Sequence, residues 1–259
     1  MNYGGNAKNT ASVWDQAWRE NALPPDDHHD LIVSTLTRFS DKLAGKRILE
    51  AGAGTARDSL TLAKMSANCV ALDISAMALS IAQQGAQHRS INIDLVQGDI
   101  LKLPFSSSMF DIVFSQGVIE HFSDPKPVLY EQIRMLCPGG LLLVEVPQTL
   151  NIYTLQKKWL IRSGRWFAGW ETSYTLKKLE RLLHTLPLEV VGAYGSGYYP
   201  DFLQGLRNLH TYDVRHNLER KIPALFRNSI DSLWQWFETH SWYYQFMWNI
   251  GVVARKTVQ

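Results

Sequence analysis

Short apolar runs alternate with longer stretches whose apolar residues recur at helical spacing, from residue 46 to residue 147. This alternation predicts strands and helices in turn, and therefore a parallel sheet with helices on both faces. Five strands are predicted here, at 46–50, 68–73, 91–97, 110–115 and 141–146. The helices between them are predicted at 55–66, at 75–88 with Ser75 as N-cap, and from Pro125 to Leu136.

The pattern changes after Pro147. Residues 151–170 carry four basic residues, three tryptophans and no acidic residue. A helix at 175–186, a strand at 188–194, a mainly helical aromatic segment at 200–241 and a last strand at 246–256 follow. The predicted fold class is therefore α/β: a doubly wound, mostly parallel seven-stranded sheet of Rossmann-like type with helical cap insertions.

A glycine-rich turn, residues 50–57, follows the first strand and opens the first helix of the sheet. A dinucleotide site needs a third glycine at position 57, which is Arg57 here, and Glu50 would repel a pyrophosphate. A phosphate-binding P-loop is excluded because no Gly-Lys-Ser/Thr follows. A cationic ligand with few phosphates fits better, and S-adenosylmethionine is one. Asp73, nineteen residues after Gly54, is placed to accept hydrogen bonds from ribose hydroxyls.

Five segments in order resemble the successive motifs of the class I S-adenosylmethionine-dependent methyltransferases, in the branch that acts on small molecules and lipids. They are ILEAGAGTA (48–56), ALDIS (71–75), QGDILKLPF (97–105), FDIVFSQGVIEHF (110–122) and CPGGLLLVEVP (137–147). The resemblance covers residues 46–147. The family often has glycine where this chain has Ala56, a departure that could shift the entry into the helix.

The resemblance implies roles for particular residues. The turn would cradle the methionine part of S-adenosylmethionine, Asp73 would bind the ribose, Asp99 would bind the adenine amino group, and Gln116 would lie near the sulfonium. The full predicted cofactor set is Glu50, Ala51, Gly52, Gly54, Asp73, Ile74, Asp99, Ile100, Gln116 and Gly117. No metal is expected. The predicted divisions are an N-terminal helical cap (1–45), the S-adenosylmethionine-binding core (46–147), a basic and aromatic insertion (148–174), and the C-terminal half of the sheet (175–259) with a helical substrate cap around 200–241.

No catalytic residue is assigned firmly. His121 lies just past the fourth strand and is either a general base or a hydrogen-bonded loop histidine. Trp14 and Trp18 share one face of an N-terminal helix that closes over the cofactor or packs on the core. The predicted acceptor-pocket residues are Trp14, Tyr174, Tyr198 and Tyr199, with a structural role as the alternative for the tyrosines. The adjacent His28 and His29 are predicted to be polar residues at a helix start rather than metal ligands.

Residues 151–170 allow three interpretations: an interfacial helix that touches anionic lipid, a lid over an acidic or lipid-like acceptor, or a cap helix packed on the sheet. A formal net charge of +2 does not favour nucleic acid as a partner. Cys69 and Cys137 have no metal-type spacing, and residues 1–20 lack the apolar region of a signal peptide. The expected location is the cytoplasm, with peripheral membrane contact through 151–170 left open.

The predicted function is S-adenosylmethionine-dependent methyl transfer to a small-molecule or lipid-like acceptor. The alternatives are a non-catalytic scaffold or regulator that keeps the fold, and an RNA or protein methyltransferase. A nicotinamide oxidoreductase ranks last because of Glu50 and Arg57. The acceptor atom and the oligomeric state are not fixed by the sequence.

Overall fold

The computed structural model describes residues 10–21, 31–149, 152–166, 171–198 and 247–258. Seven strands in these residues form one sheet in the order β3-β2-β1-β4-β5-β7-β6. Six of these strands run in the same direction, and β7 runs opposite to them. The strands are β1 (Arg47–Ala51), β2 (Asn68–Asp73), β3 (Asp94–Gln97), β4 (Phe110–Gln116), β5 (Leu136–Pro147), β6 (Leu188–Tyr198) and β7 (Met247–Lys256). The predicted fold class is confirmed.

Helices cover both faces of the sheet because side chains alternate along each strand. Ile48 packs on one face with α2 and α3, whereas Leu49 packs on the other face with α5 and α7. The helices are α1 (Ala11–Asn21), α2 (Leu31–Phe39), α3 (Arg57–Lys64), α4 (Ala76–His88), α5 (Lys126–Met135), α6 (Ile152–Arg162) and α7 (Leu176–Leu183). None of the helices in the described part of the chain has the length and apolarity to cross a bilayer.

The predicted elements that fall within the described residues are present, with shifted ends. Ser75 caps α4, and its hydroxyl oxygen accepts a hydrogen bond from the Ala78 N–H at 3.1 Å. Helix α3 begins at Arg57 rather than Thr55, because Ala56 has a left-handed backbone with φ 54°. Strand β3 begins at Asp94 rather than residue 91, and β5 begins at Leu136 rather than residue 141. The cap predicted at 200–241, like His28 and His29, lies outside the described residues.

The strand order places the candidate site. Chain order reverses between β1 and β4, since β2 and β3 lie on one side of this pair and β5 on the other. In open parallel sheets the crevice beyond the carboxyl ends of such a pair binds ligands. The glycine turn follows β1, and Gly117 follows β4, so both border this crevice.

Candidate active site

A cavity of about 210 Å³ opens at the carboxyl ends of β1, β2 and β4. Its walls are mainly apolar, with a few carboxylate, amide and imidazole groups among them. The lining residues are Trp14, Trp18, Gly52, Gly54, Leu72, Asp73, Ile74, Gly98, Asp99, Ile100, Leu101, Gln116, Gly117, Val118, His121 and Phe122. Apolar walls with a small number of placed polar groups are typical of small-molecule sites.

The glycine turn comes so close to its neighbours that side chains would not fit. A Cβ at Gly52 would lie 2.5 Å from a methyl carbon of Val118, and one at Gly54 would lie 2.6 Å from the Trp18 ring. Both glycines also have positive φ, at 77° and 53°. These positions therefore require glycine for the turn to pass between α1 and the loop after β4.

Asp73 links the turn to the second strand. One carboxylate oxygen accepts a hydrogen bond from the Gly54 N–H at 2.7 Å, and the other accepts one from the Ser75 N–H at 2.8 Å. Burial raises the pKa of Asp73, while these two N–H groups act in the opposite direction. The carboxylate is thus held at the cavity wall before any ligand arrives.

Glu50 lies at the end of β1, on the face covered by α3. Its carboxylate accepts hydrogen bonds from the Ser59 hydroxyl at 2.5 Å and from the Ser59 N–H at 3.2 Å. Burial raises the pKa of Glu50 well above its usual range, and the nearby charge of Asp58 adds to the effect. The side chain is therefore anchored to α3, facing a second cavity described below.

Helix α1 covers the first cavity and is fixed at three points. Asp15 accepts hydrogen bonds from the Ser75 hydroxyl at 2.6 Å and from the Met77 N–H at 3.0 Å. The bond from Ser75 is the main reason why the pKa of Asp15 is lowered. Trp18 lies on Gly54, and Trp14 meets the His121 ring edge-on with 5.0 Å between ring centroids. Both tryptophans line the cavity, so the face that they share is turned towards it.

His121 and Glu120 lie in a 3-10 turn after β4, both almost fully buried. The His121 Nδ1 atom has no hydrogen-bond partner among the described residues. Burial lowers the pKa of His121. Burial also raises the pKa of Glu120 to about 8, with a contribution from Glu171. At neutral pH the imidazole is therefore uncharged and able to accept a proton.

Residues 152–166 and the segment after residue 170 pack beside this turn. Lys157 forms a buried ion pair with Glu171, and the two side chains are only 7% and 6% exposed. The Trp166 indole N–H also donates to Glu171 at 2.6 Å, and the Thr172 N–H donates to the Glu120 carbonyl at 2.7 Å. One face of the basic insertion thus packs beside the candidate reaction site.

A second cavity of about 250 Å³ adjoins the first and shares the walls formed by Trp18, Gly52, Gly54, Gln116 and Gly117. It extends between α3, β5 and β7. Its further lining residues are Glu50, Ala53, Thr55, Arg57, Asp58, Glu145, Val146, Pro147 and Asn249. Three of these are buried carboxylic acids, and Arg57 is the one basic residue among the described residues of the lining.

The predicted cofactor residues lie together at these two cavities, apart from Ala51, which is buried in the core under β1. Among the predicted acceptor residues, Trp14 lines the first cavity. Tyr174 is buried in the core and lines neither cavity. Tyr198 ends β6, and Tyr199 lies outside the described residues. The assigned roles of these residues stay predictions.

Sequence reasoning missed Asp58 and Glu145. A signal for Glu145 was available, because it is the one charged residue in the apolar run LLLVEV of β5. Charged side chains are rarely buried without a partner or a function. Asp58 offered a weaker signal, since acidic residues are common in the first turn of a helix.

Comparison with known proteins agrees with this geometry. Residues 49–144 match a family model described as a methyltransferase domain. A demethylmenaquinone methyltransferase of Renibacterium salmoninarum is 35% identical over 100 residues, which are 39% of this chain and 40% of that protein. A ubiquinone biosynthesis O-methyltransferase of Erwinia tasmaniensis is 29% identical over 127 residues, 49% of this chain and 50% of that protein. The chain thus spans about half the length of the curated relatives it matches.

Solved structures show the same fold. A chain from the Haloferax volcanii complex of a methyltransferase activator with a methyltransferase superposes with a TM-score of 0.64 at 18% identity, covering 95% of this chain and 98% of that one. The cyclase SpnF superposes with a TM-score of 0.59 at 19% identity, covering 100% of this chain and 88% of that one. Because one of these similar structures is a cyclase, likeness of fold alone does not fix the reaction.

Residues 49–144 are thus similar to a methyltransferase domain, in agreement with the resemblance that the five motifs carry.

Proposed function

We propose that this protein is an S-adenosylmethionine-dependent methyltransferase whose acceptor is a small lipid-like molecule of the quinol or phenol type. The observation that carries the proposal is the cavity in which the glycine turn, Asp73, Asp99 and Gln116 meet at the switch point of the sheet. The relatives named for menaquinone and ubiquinone biosynthesis support the choice of acceptor class.

The residues present suit this cofactor better than a dinucleotide. Acidic side chains, Asp73, Asp99 and Glu50, line the two connected cavities, and Arg57 stands where a dinucleotide site needs glycine. Carboxylates repel a pyrophosphate but accept hydrogen bonds from ribose hydroxyls and an adenine amino group. When bound, S-adenosylmethionine supplies a methyl group already activated on a sulfonium.

Each wall of the first cavity has a proposed task. Asp73 would bind the ribose hydroxyls, and Asp99 the adenine amino group. Ile74 and Ile100 would pack on the adenine ring. Asp99 already accepts a hydrogen bond from the Leu101 N–H at 2.9 Å, which orients its carboxylate. Alignment of donor and acceptor and exclusion of water are the protein's main contributions to methyl transfer.

His121 is the proposed base for an acceptor hydroxyl. It lines the cavity, and its Nδ1 atom has no hydrogen-bond partner among the described residues. Nδ1 is therefore the ring nitrogen proposed to accept the proton. A neutral imidazole at this position would take the hydroxyl proton as the oxygen attacks.

The outward face of α6 and the turn after it is the proposed membrane contact. Trp159 is 58% exposed, and the Arg165 guanidinium lies over its ring at 4.1 Å from the centroid. Lys158 and Arg162 are exposed beside them. An exposed indole among cations suits the headgroup region of an anionic bilayer, from which a lipid-like acceptor would enter.

A transfer assay tests the proposal. The purified protein is incubated with S-adenosylmethionine and a prenylated demethyl-quinol in detergent, and S-adenosylhomocysteine and the methylated lipid are measured by mass spectrometry. We expect turnover that requires the acceptor. Bound cofactor without transfer to any prenylated quinol or phenol would contradict the proposed acceptor class.

A further inference from the structure

Glu171 belongs to a buried polar cluster beside the turn that carries Glu120 and His121. Its carboxylate forms an ion pair with Lys157 of α6, and the Glu171 and Lys157 side chains are only 6% and 7% exposed. The Trp166 indole N–H also donates a hydrogen bond to this carboxylate at 2.6 Å. The carboxylate is therefore held in place by a cation and by an indole donor.

A buried ion pair of this kind is weak evidence for stability. Removal of both charges from water often costs as much free energy as their attraction returns, and apolar side chains of similar size can replace such a pair without loss. Packing of α6 against its neighbours therefore does not require charges. Their location beside the turn of the proposed base favours a role in the reaction instead.

The segment of Glu171 is also bonded to the turn through the main chain. The next residue, Thr172, donates its N–H to the Glu120 carbonyl at 2.7 Å. From α1, the Trp14 ring meets the His121 ring edge-on with 5.0 Å between centroids. These two contacts limit the movement of the turn, so the Glu171 carboxylate and the imidazole are held in a fixed arrangement.

The charges of the cluster act on both side chains of the turn. Burial lowers the pKa of His121, whereas the charge of Glu171 raises it and the charge of Lys157 lowers it to a smaller extent. Burial raises the pKa of Glu120 to about 8, and Glu171 adds to the effect. Glu120 is thus mostly uncharged at pH 7, and Trp14 carries no charge. Among the described residues, Glu171 is therefore the anion that acts on the imidazole.

We propose that Glu171 is a positioning residue for methyl transfer, which holds the turn and stabilises the imidazolium that forms at His121, with Lys157 as its counter-ion. The inference rests on the proposed function, because it requires His121 to act as the base. In the transfer step the acceptor O–H bond breaks and its proton goes to Nδ1. The oxygen takes the methyl group, and the electron pair of the S–CH₃ bond returns to sulfur. An anion fixed beside the buried imidazole favours the positive charge that this step creates there.

Titration of the His121 ring in the full-length protein without ligand tests the charge effect. Histidine ring signals are followed by NMR over the pH range in which the protein stays folded, and His121→Gln identifies the signal. Glu171→Gln removes the negative charge in nearly the same shape, so the titration should move to lower pH by about 0.5–1 pH unit. Lys157→Gln removes the positive charge, so the titration should move to higher pH.

The double variant Lys157→Gln with Glu171→Gln covers the case in which the unpaired lysine prevents folding. It removes both charges, and its His121 titration should lie between those of Glu171→Gln and the unaltered protein, because the effect of Glu171 is the larger.

Transfer to a prenylated demethyl-quinol measures the consequence for the reaction. Glu171→Gln should lower kcat about three- to tenfold at about pH 8, a part of what a general base contributes. The affinity for S-adenosylhomocysteine should change less than about twofold, because Glu171 lines neither cavity. Glu189→Gln, an exposed position on β6, is the matched control and should change neither the His121 titration nor kcat.

Three results would overturn the inference. An unchanged His121 titration in Glu171→Gln would show that the carboxylate does not act on the imidazole. Shifts in the same direction in Glu171→Gln and Lys157→Gln would show that the cluster acts through packing alone. An unchanged kcat would show that the reaction does not use the charge. Failure of the proposed function looks different, because then the unaltered protein transfers no methyl group to any prenylated quinol or phenol.

Discussion

Two halves of the same sheet edge hold their buried polar groups in different ways. At the ends of β1 and β2, Glu50 and Asp73 accept hydrogen bonds from backbone N–H groups, at 3.2 Å for Glu50 and at 2.7 and 2.8 Å for Asp73. At the ends of β4 and β5, Glu120, His121 and Glu145 each keep a buried polar atom without a hydrogen-bond partner in the described part of the chain.

The contrast distinguishes polar groups that the protein itself holds by hydrogen bonds from polar groups whose hydrogen bonds a ligand would complete. A carboxylate held by main-chain N–H groups keeps its position without a ligand, as a cofactor site requires. A buried group without a partner lowers stability, and such groups concentrate at functional sites. We therefore expect substitutions in the first half to affect cofactor binding, and substitutions in the second half to affect turnover and the fit of charged ligand groups.

The largest expected effect lies in the second half. His121→Gln should lower kcat by about 10²- to 10⁴-fold, the usual contribution of a positioned general base. The dissociation constant of S-adenosylhomocysteine should change less than about threefold, because the imidazole is not needed to hold the cofactor. Stopped-flow transfer rates and calorimetry measure the two quantities. A parallel loss of both would show that His121 only supports the cavity.

The pH profile sharpens the same point. Because burial lowers the pKa of His121, the imidazole stays neutral through pH 7 and becomes protonated only below its ordinary value of about 6.5. We expect kcat to fall only as the pH drops below that ordinary value. In His121→Gln this acid limb should be absent. An unchanged acid limb in the variant would assign it to another group.

In the first half, Asp73→Ala should weaken S-adenosylhomocysteine binding by about 100-fold. The change removes both the proposed ribose acceptor and the anchor of the Gly54 N–H, and hydrogen bonds to charged groups contribute about 1.5–3 kcal/mol each. Asp73→Asn keeps an acceptor oxygen and should lose about tenfold. Calorimetry measures both variants, with thermal unfolding to confirm that each is folded. Equal affinities in all three proteins would contradict the assignment.

A smaller effect is expected on the outward face of α6. Arg162→Gln should lower binding to vesicles containing phosphatidylserine by about fivefold, since each basic residue near an anionic surface contributes about 1 kcal/mol. Lys177→Gln, an exposed position on α7, is the control and should change little. Sedimentation with sucrose-loaded vesicles measures the partition. Equal binding of the unaltered protein to neutral and anionic vesicles would contradict the membrane contact.

The smallest effect is expected in the turn itself. Ala56 is buried with φ 54°, a conformation that costs a non-glycine residue about 1–2 kcal/mol. Ala56→Gly relieves this strain. It also removes a buried methyl group, whose burial contributes about 0.8 kcal/mol, and it raises the conformational entropy of the unfolded chain. The two effects should nearly cancel, within about 1 kcal/mol by urea unfolding. A loss above about 2 kcal/mol would show that the methyl is part of the packing that fixes the turn.

The sequence allowed the sheet to be predicted because its strands are short apolar runs bounded by turn residues. Ser75 could be identified as a helix cap because it directly precedes residues whose apolar positions recur at helical spacing. The late start of α3 was not predictable, since it depends on the backbone angle that Ala56 adopts in the finished turn. Ends of helices and strands depend on such local competition more than their centres do.

In the candidate site, too, some features could be predicted from the sequence and others could not. Residues within motifs, such as Asp73 and Asp99, could be assigned to the cavity by position. The ion pair of Lys157 with Glu171 joins residues 14 positions apart in the sequence, and no sequence pattern specifies that pairing. The cluster of Glu50, Asp58 and Glu145 forms only when α3 packs on the sheet face that carries the two glutamates. Tertiary packing, rather than local pattern, creates both features.

Calorimetric titration of the unaltered protein with S-adenosylmethionine, S-adenosylhomocysteine and NADH tests the proposed cofactor most directly. The glycine turn lacks a third glycine and has carboxylates around it. We therefore predict micromolar binding of both adenosyl ligands and no binding of NADH. Folded protein that binds NADH, or that binds neither adenosyl ligand, would contradict the account.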